Sequence, residues 1–249
     1  MTKLVIFDLD GTLAESKQQL TSGMAEQLSR LLAVTKVAII SGGALSQFLK
    51  QVVAQLPVGT ELANLYLLPT SGAALYEFQN DDWKKIYEER LSEKEKDTIE
   101  AAMMIAIEKT KTIDLAKPAW GDRVEYRGGQ VSLSALGQHA PIAEKKAWDP
   151  DHSKRHALQA MIAERLPAFS VKIGGMTTID VTKRNIDKAY GVHQLCERLR
   201  IREEDSLYVG DELGDGGNDE AVYKTDVHAR SVKDPIETAY LIESLLATS

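Results

Sequence analysis

Two carboxylates stand two residues apart in Asp8-Leu9-Asp10-Gly11-Thr12-Leu13, directly after the apolar run Lys3-Leu4-Val5-Ile6-Phe7. The run reads as a short buried strand ending at a glycine. In an open α/β sheet, ligands bind at the carboxyl ends of the strands. Two acids at such a mouth repel each other unless a cation or a proton-transfer role keeps them there. A carboxylate can attack phosphorus and form an aspartyl-phosphate, and a neighbouring carboxyl can move the proton. Gly11 allows the sharp turn that brings backbone N–H groups to an anion. Read alone, the hexapeptide also fits a turn that merely favours Asp and Gly.

Three distant loops could join this pair. Val209-Gly210-Asp211-Glu212-Leu213-Gly214-Asp215-Gly216-Gly217-Asn218-Asp219 carries four acids within nine residues. Oxygen donors without His or Cys suit Mg²⁺ rather than zinc. Ser41 and Gly42, in Ile39-Ile40-Ser41-Gly42-Gly43, offer a hydroxyl and backbone N–H groups that could cradle a phosphate; Ser41 alone also reads as a plain helix N-cap. Lys188, in Asn185-Ile186-Asp187-Lys188, could hold a phosphoryl group and screen the carboxylates, although a lone lysine is usually a solvated surface charge.

The elements that must position these residues follow an interrupted pattern. Leu20, Met24, Leu28 and Leu31 are spaced for one helical face. Strands are expected at 35–40, 65–68 and 73–78, with a helix before Pro57. The texture then changes: a turn at Asn80-Asp81-Asp82, a charged helix over 92–109, a hairpin around Gly128-Gly129, a helix from about Ser153 to Leu166, and strands near 169–173 and 177–182. From Ile186 the alternation returns with a helix to Leu199, a strand at 206–209, a helix, a strand near 227–229 and a C-terminal helix. The expectation is an α/β core with a parallel sheet, residues 1–81 and 185–249, interrupted by an α+β unit over 82–184.

Composition narrows the partners. The 249 residues are 43% hydrophobic and 27% charged, with a net charge of −7 and a pI of about 5.4. Bulk nucleic-acid binding, which needs clustered Lys and Arg, is not expected. Cys196 is the sole cysteine; its helical neighbours Leu195 and Leu199 mark it as core. No signal peptide or membrane-length apolar run is apparent, so a cytoplasmic location without membrane association is expected. The five histidines show no ligand spacing.

Asp8-x-Asp10-Gly11-Thr12, Ser41, Lys188 and Gly210-Asp211…Asn218-Asp219 come in the order of the four motifs of the haloacid dehalogenase (HAD) superfamily, which the chain resembles. The insertion after the third strand looks like a type IIB (Cof-type) cap. Glu125-Tyr126-Arg127-Gly128-Gly129, Ile173-Gly174-Gly175 through Thr178-Ile179-Asp180-Val181, and Asp187-Lys188 are similar to eukaryotic-type phosphomannomutases and their bacterial phosphatase-like relatives.

The resemblance implies a HAD-like Rossmannoid core and a residue-by-residue assignment. Asp8 would be the nucleophile, and Asp10 the general acid and then the general base, with Thr12 orienting it. Mg²⁺ would be held by the Asp8 carboxylate, the Asp10 carbonyl and Asp211. The commoner Gly-Asp-Gly-x-Asn-Asp form of the fourth motif would put Asp215 on the metal instead; Asp211 is preferred because it directly follows the strand. Asn218 and Asp219 would be ligands or support them. Ser41 and Lys188 would hold the phosphoryl oxygens. Thr178 and Asp180 match positions that touch sugar hydroxyls, so a phosphorylated sugar is the implied partner.

A phosphatase and a phosphomutase share this set of residues. A mutase must also grip the second phosphate of a bisphosphate, which calls for convergent arginines from the cap. Arg127 stands at the first such position and Arg123 is close by, but Gln138 stands where the family has its second arginine. The expected activity is therefore Mg²⁺-dependent hydrolysis of a sugar phosphate or similar monoester, with phosphomannomutase as the alternative and a non-catalytic phosphosugar sensor as a third reading. A monomer or a cap-mediated homodimer is compatible with all of them.

Overall fold

The computed structural model of the chain describes residues 2–247. Contacts divide it into two compact units: one is the chain up to Glu88 and from Asp187 on, the other is Glu89–Ile186. No helix among the described residues is long and apolar enough to cross a membrane.

The first unit begins with β1 (Leu4–Asp8), α1 (Ser22–Leu32), β2 (Lys36–Ile40), α2 (Leu45–Gln51), β3 (Leu65–Leu68), β4 (Ala74–Gln79) and β5 (Asp82–Glu88). Its seven-stranded sheet has the order β11-β10-β1-β2-β3-β4-β5, where β10 is Ser206–Gly210 and β11 is His228–Ser231. The five strands from β11 to β3 run parallel, and β4 and β5 are antiparallel. The reversal at β4 has a simple cause: the few residues after β3 cannot make the long crossover that a parallel neighbour needs.

β5 corrects the expected boundary at residue 82. Asn80 and Asp81 both take left-handed backbone angles, the geometry of a tight hairpin turn. That turn adds 82–88 to the first unit's sheet rather than to the inserted unit. The charges of Asp82, Lys84, Lys85 and Glu88 suit an edge strand.

β1 lies at the centre of the sheet and is wholly buried. Val5, Phe7 and Leu9 point to the face covered by α1 and by α7 (Pro235–Ala247), and Leu4 and Ile6 to the face covered by α6 (Lys188–Leu199). Each such side chain contributes roughly 1.5–3 kcal/mol of burial, so the mouth of β1 is anchored on both faces. α6 approaches closely because two glycines meet. A Cβ on Gly191 or on Gly72 would lie 2.8 Å from the other's Cα.

The second unit holds α3 (Glu93–Thr110), β6 (Val124–Tyr126), β7 (Gln130–Ser134), α4 (Ile142–Trp148), α5 (Ser153–Arg165), β8 (Phe169–Ile173) and β9 (Thr178–Lys183). Its antiparallel sheet has the order β6-β7-β9-β8. Val131, Leu133, Ile179 and Val181 pack against α3 and α5. The alternate positions Gln130, Ser132, Ser134, Thr178, Asp180 and Thr182 are polar yet buried and pair across β7 and β9. α4 is short and charged, and was not expected from the apolar pattern.

Candidate active site

Asp8 is the last residue of β1, between β10 on one side and β2 on the other. This is where the chain leaves the central strand for one side of the sheet and later returns on the other, the usual crevice for a ligand in such folds. Besides β1, which carries Asp8, three elements deliver side chains to this edge. Asp187 caps α6 by accepting from the Tyr190 N–H at 3.1 Å, which sets Lys188 in the first helical turn. The loop after β10 brings Asp211, Asn218 and Asp219, and the turn after β1 brings Thr12.

The Lys188 ammonium is buried and donates to three acceptors: Asp8 Oδ1 at 2.6 Å, Asn218 Oδ1 at 2.5 Å, and Asp219 Oδ1. One carboxylate oxygen from each of Asp8, Asp211 and Asp219 lies within 4.8 Å of the others. Thr12 donates to Asp211 Oδ1 at 3.1 Å. Gly11 sits at φ +96°, and a Cβ there would lie 2.3 Å from Asp211 Oδ2; only glycine both makes this turn and leaves room for the acid.

Asp219 is fully buried. Its Oδ1 also accepts from the Tyr208 hydroxyl at 2.5 Å, and its Oδ2 accepts from the Glu212 N–H at 3.2 Å. Glu212 Oε2 in turn accepts from the Asn218 amide at 2.9 Å. Asp8 Oδ2, by contrast, is buried without a hydrogen-bond partner. A buried orphan oxygen of this kind calls for an explanation such as an ion.

Three carboxylates thus face one ammonium. Burial pushes the Asp8 carboxyl well above its ordinary range; Lys188 opposes this, while Asp219 and Asp211 add to it. Burial, then Glu212 and Asp219, raise Asp211 to about 6. Burial works to discharge Lys188, but Asp219 and Asp8 outweigh it and raise its pKa, so the ammonium stays charged. One divalent cation would balance the excess negative charge, and the donor set is all oxygen, as Mg²⁺ prefers. The unpartnered Asp8 Oδ2 and the adjacent Asp211 carboxylate are the atoms placed to take it.

Ser41 directly follows Ile40, the β2 residue in register with Asp8. Its N–H donates to the Leu68 carbonyl and its Oγ accepts from the Gly43 N–H at 3.3 Å. The segment after β3 clamps this loop, with the Ser71 N–H donating to the Ser41 carbonyl at 2.9 Å and the Thr70 N–H to the Gly43 carbonyl at 3.0 Å. Thr70 and Ser71 both have φ above +50°, strain of the kind found near functional sites. Asp10 is half-buried, and its carboxylate accepts from the Lys17 N–H.

Two of the expected site residues stand apart from this cluster. Asp215 is exposed on the loop and stands outside the cluster of three acids. The loop doubles back at Gly216 and Gly217, which returns Asp219, not Asp215, to the strand end. Arg123 was expected at a phosphate. Its guanidinium instead braces backbone carbonyls of its own unit: Ala135 at 3.1 Å, Lys117 at 2.9 Å and Asp114 at 3.4 Å.

Arg127, Gln138, Thr178 and Asp180, also expected at a substrate, lie within the second unit. Arg127 donates to Glu125 Oε2 at 3.0 and 2.6 Å and to Gln138 Oε1 at 3.2 Å. Ser132 donates to Asp180 Oδ1 at 2.5 Å and accepts from Gln130 at 2.8 Å. Thr178 lies on the same strand as Asp180, opposite Ser134.

Sequence reasoning missed Tyr208, Glu212 and the Thr70–Ser71 clamp. Tyr208 carried a usable signal: a phenol in the middle of a buried strand needs a partner for its hydroxyl.

Comparison with known proteins agrees with this arrangement. The profile of the eukaryotic phosphomannomutase family matches residues 24–248. A phosphomannomutase of Encephalitozoon cuniculi is 25% identical over 253 residues, covering 98% of this chain and 93% of its own. Among solved structures, an IMP-bound variant of Plasmodium falciparum IMP-nucleotidase superposes with a TM-score of 0.71 at 16% identity, covering 100% of this chain and 67% of that one. A haloacid dehalogenase-like hydrolase from Bacteroides thetaiotaomicron gives 0.63 at 15% identity, covering 98% and 100%. Those two likenesses establish the HAD-like fold. With the family profile spanning most of the chain, the protein belongs to the eukaryotic phosphomannomutase family and has the HAD-like fold.

Proposed function

We propose that this enzyme, a phosphoryl-transfer catalyst like its family, hydrolyses a sugar phosphate or similar phosphomonoester through an aspartyl-phosphate on Asp8. The observation that carries the reading is the buried Asp8 carboxylate, with one oxygen held by Lys188 and the other unpartnered.

In the first step an Asp8 oxygen attacks phosphorus, the ester P–O bond breaks, and Asp10 gives its proton to the leaving oxygen. In the second, water attacks phosphorus, Asp10 takes its proton, and the bond to Asp8 breaks to release inorganic phosphate. Lys188 and Ser41 are assigned to the phosphoryl oxygens, where fixed positive charge and hydrogen-bond donors favour the transition state. Asp8, Asp211 and the Asp10 carbonyl are assigned to Mg²⁺, which when bound would neutralise charge on the transferring group. Asn218 and Asp219 hold Lys188 in this reading, and Thr12 holds Asp211. Substrate recognition is assigned to polar residues of the second unit, Thr178 and Asp180 for hydroxyls and Arg127 for a polar or anionic group. Action in the cytoplasm is part of the proposal and rests on the sequence reading.

Phosphomannomutase is the second reading, favoured by the family and by its relatives' names. Against it stand Arg123, engaged with carbonyls, Arg127, paired with Glu125, and the neutral Gln138. One assay separates the two: mannose 1-phosphate with Mg²⁺ and a catalytic sugar bisphosphate, followed for free phosphate and for hexose 6-phosphate. Phosphate release without isomerisation is expected; isomerisation without release would overturn hydrolysis. Asp8→Asn should lower turnover on the order of 10⁴-fold or more while the fold persists, and residual activity near the parent's would remove Asp8 as nucleophile.

A further inference from the structure

The three N–H donors of Lys188 are all in use, and its three acceptors differ in how firmly they are held. Asp8 keeps a second oxygen without a partner. Asn218 is tied through its amide to the Glu212 carboxylate, itself on the loop. Asp219 is the fixed one. It is fully buried, its Oδ2 takes the Glu212 N–H, and its Oδ1 takes both Lys188 and the Tyr208 hydroxyl. A Cβ on Gly210 would lie 2.4 Å from Asp219 Oδ2, so the carboxylate is also packed from behind. Tyr208 belongs to β10, next to the central strand and completely buried; its ring cannot move without disturbing the sheet core.

We propose that Tyr208 is a positioning residue, whose hydroxyl fixes Asp219 so that Asp219 in turn holds the Lys188 ammonium at the nucleophile. The inference deepens the function proposed above and rests on it. A lysine side chain has four rotatable bonds, and its ammonium is useful to a transferring phosphoryl group only when held in place beforehand. The rigid path from the sheet core to that ammonium runs through the phenol and the carboxylate. When a phosphoryl oxygen takes over one Lys188 donor, Asp8 or Asn218 can yield it, and the Asp219 contact stays as the pivot.

A phenol that merely needed an acceptor would pack equally well without serving Lys188, and the test is built to tell the two apart. Tyr208→Phe keeps the ring and removes only the hydroxyl. With p-nitrophenyl phosphate and Mg²⁺, kcat should fall about tenfold, the scale of a lost hydrogen bond to a charged group, with KM changed less than about twofold. In an Asp219→Asn background the same substitution should add less than about a twofold change, because the two act through one path. The ammonium resonance of Lys188 in the full chain, read by ¹⁵N NMR without substrate, should shift or broaden in Tyr208→Phe. An unchanged kcat with an unmoved Lys188 resonance would overturn the proposal, as would a full-sized Tyr208→Phe effect in the Asp219→Asn background. If Tyr208→Phe fails to fold, Tyr208→Met fills similar space without a hydroxyl and carries the same test. If the parent enzyme turns over no phosphomonoester, the hydrolase reading fails, and the Lys188 resonance still decides whether Tyr208 holds it.

Discussion

Replacing Asp211 by asparagine is expected to stabilise the metal-free protein at neutral pH while abolishing its response to Mg²⁺. Burial, with help from Glu212 and Asp219, raises the Asp211 carboxyl from its ordinary 3.8 to about 6. Below pH 3.8 both folded and unfolded chains hold this proton. Between 3.8 and 6 the folded chain still holds it and the unfolded chain has lost it, so stability falls as pH rises; above 6 the full penalty of a buried charge is present. At about 1.4 kcal/mol per tenfold change in proton affinity, that penalty is on the order of 3 kcal/mol at pH 7.5 and roughly half of that at pH 5. Asparagine carries no charge and still offers Thr12 an acceptor oxygen. Urea unfolding in EDTA should therefore place Asp211→Asn above the parent by on the order of 3 kcal/mol at pH 7.5, with the gain roughly halved at pH 5. Saturating Mg²⁺ should reverse the order, since a ligand at a thousand times its Kd stabilises by about 4.1 kcal/mol and only the parent retains the site. A variant less stable than the parent in EDTA at pH 7.5, or a gain equal at both pH values, would refute the assignment of Asp211 as a charge kept for a cation.

Two further outcomes follow from backbone geometry. Gly210→Ala would put a methyl 2.4 Å from Asp219 Oδ2; turnover should fall at least about tenfold and stability by about 1–3 kcal/mol, measured by steady-state kinetics and urea unfolding. Lys111, exposed and left-handed at the C-terminus of α3, occupies a position that suits glycine, so Lys111→Gly should raise stability by about 0.5–1 kcal/mol with turnover unchanged, which thermal unfolding and the same kinetic assay would check.

Much of the site was legible because its chemistry is local. Asp8 and Asp10 lie at a strand end beside a glycine, and Asp211 follows β10 directly, so strand mouths could be read from apolar runs alone. The path of the loop, which turns at Gly216 and leaves Asp215 exposed, is what the sequence could not supply for weighing Asp211 against Asp215. The hydrogen bonds of Tyr208, Glu212 and Thr70 were not legible. They join residues that are neighbours only after folding; the buried phenol of Tyr208 signals that it needs a partner but not which one. β5 was missed for another reason: its alternation is hidden by edge charges, and Asn80-Asp81 reads as the end of a domain as readily as a hairpin turn. α4, with Lys145 and Lys146 after Pro141, shows too little apolar periodicity to be seen.

Whether the proposed aspartyl-phosphate passes to water or back to a sugar depends on whether a second phosphate can be gripped. A bisphosphate intermediate would bring a second dianion that must be held while the sugar reorients, and bidentate arginines are the side chains suited to this. Here the two arginines expected at such a phosphate, Arg123 and Arg127, are already engaged. Arg127 is buried against Glu125, with Gln138 on its other side, so its net contribution is a dipole more than a free charge. Arg123 holds the 114–117 segment and Ala135 in place, and releasing it would break three hydrogen bonds to backbone carbonyls. Using either arginine for a phosphate would require breaking an existing set of bonds, whereas water needs no such grip. The second unit still offers Thr178, Asp180 and Ser132, groups suited to uncharged hydroxyls. With both expected arginines engaged, the proposed hydrolysis of a monophosphate is favoured over transfer between two positions of a sugar.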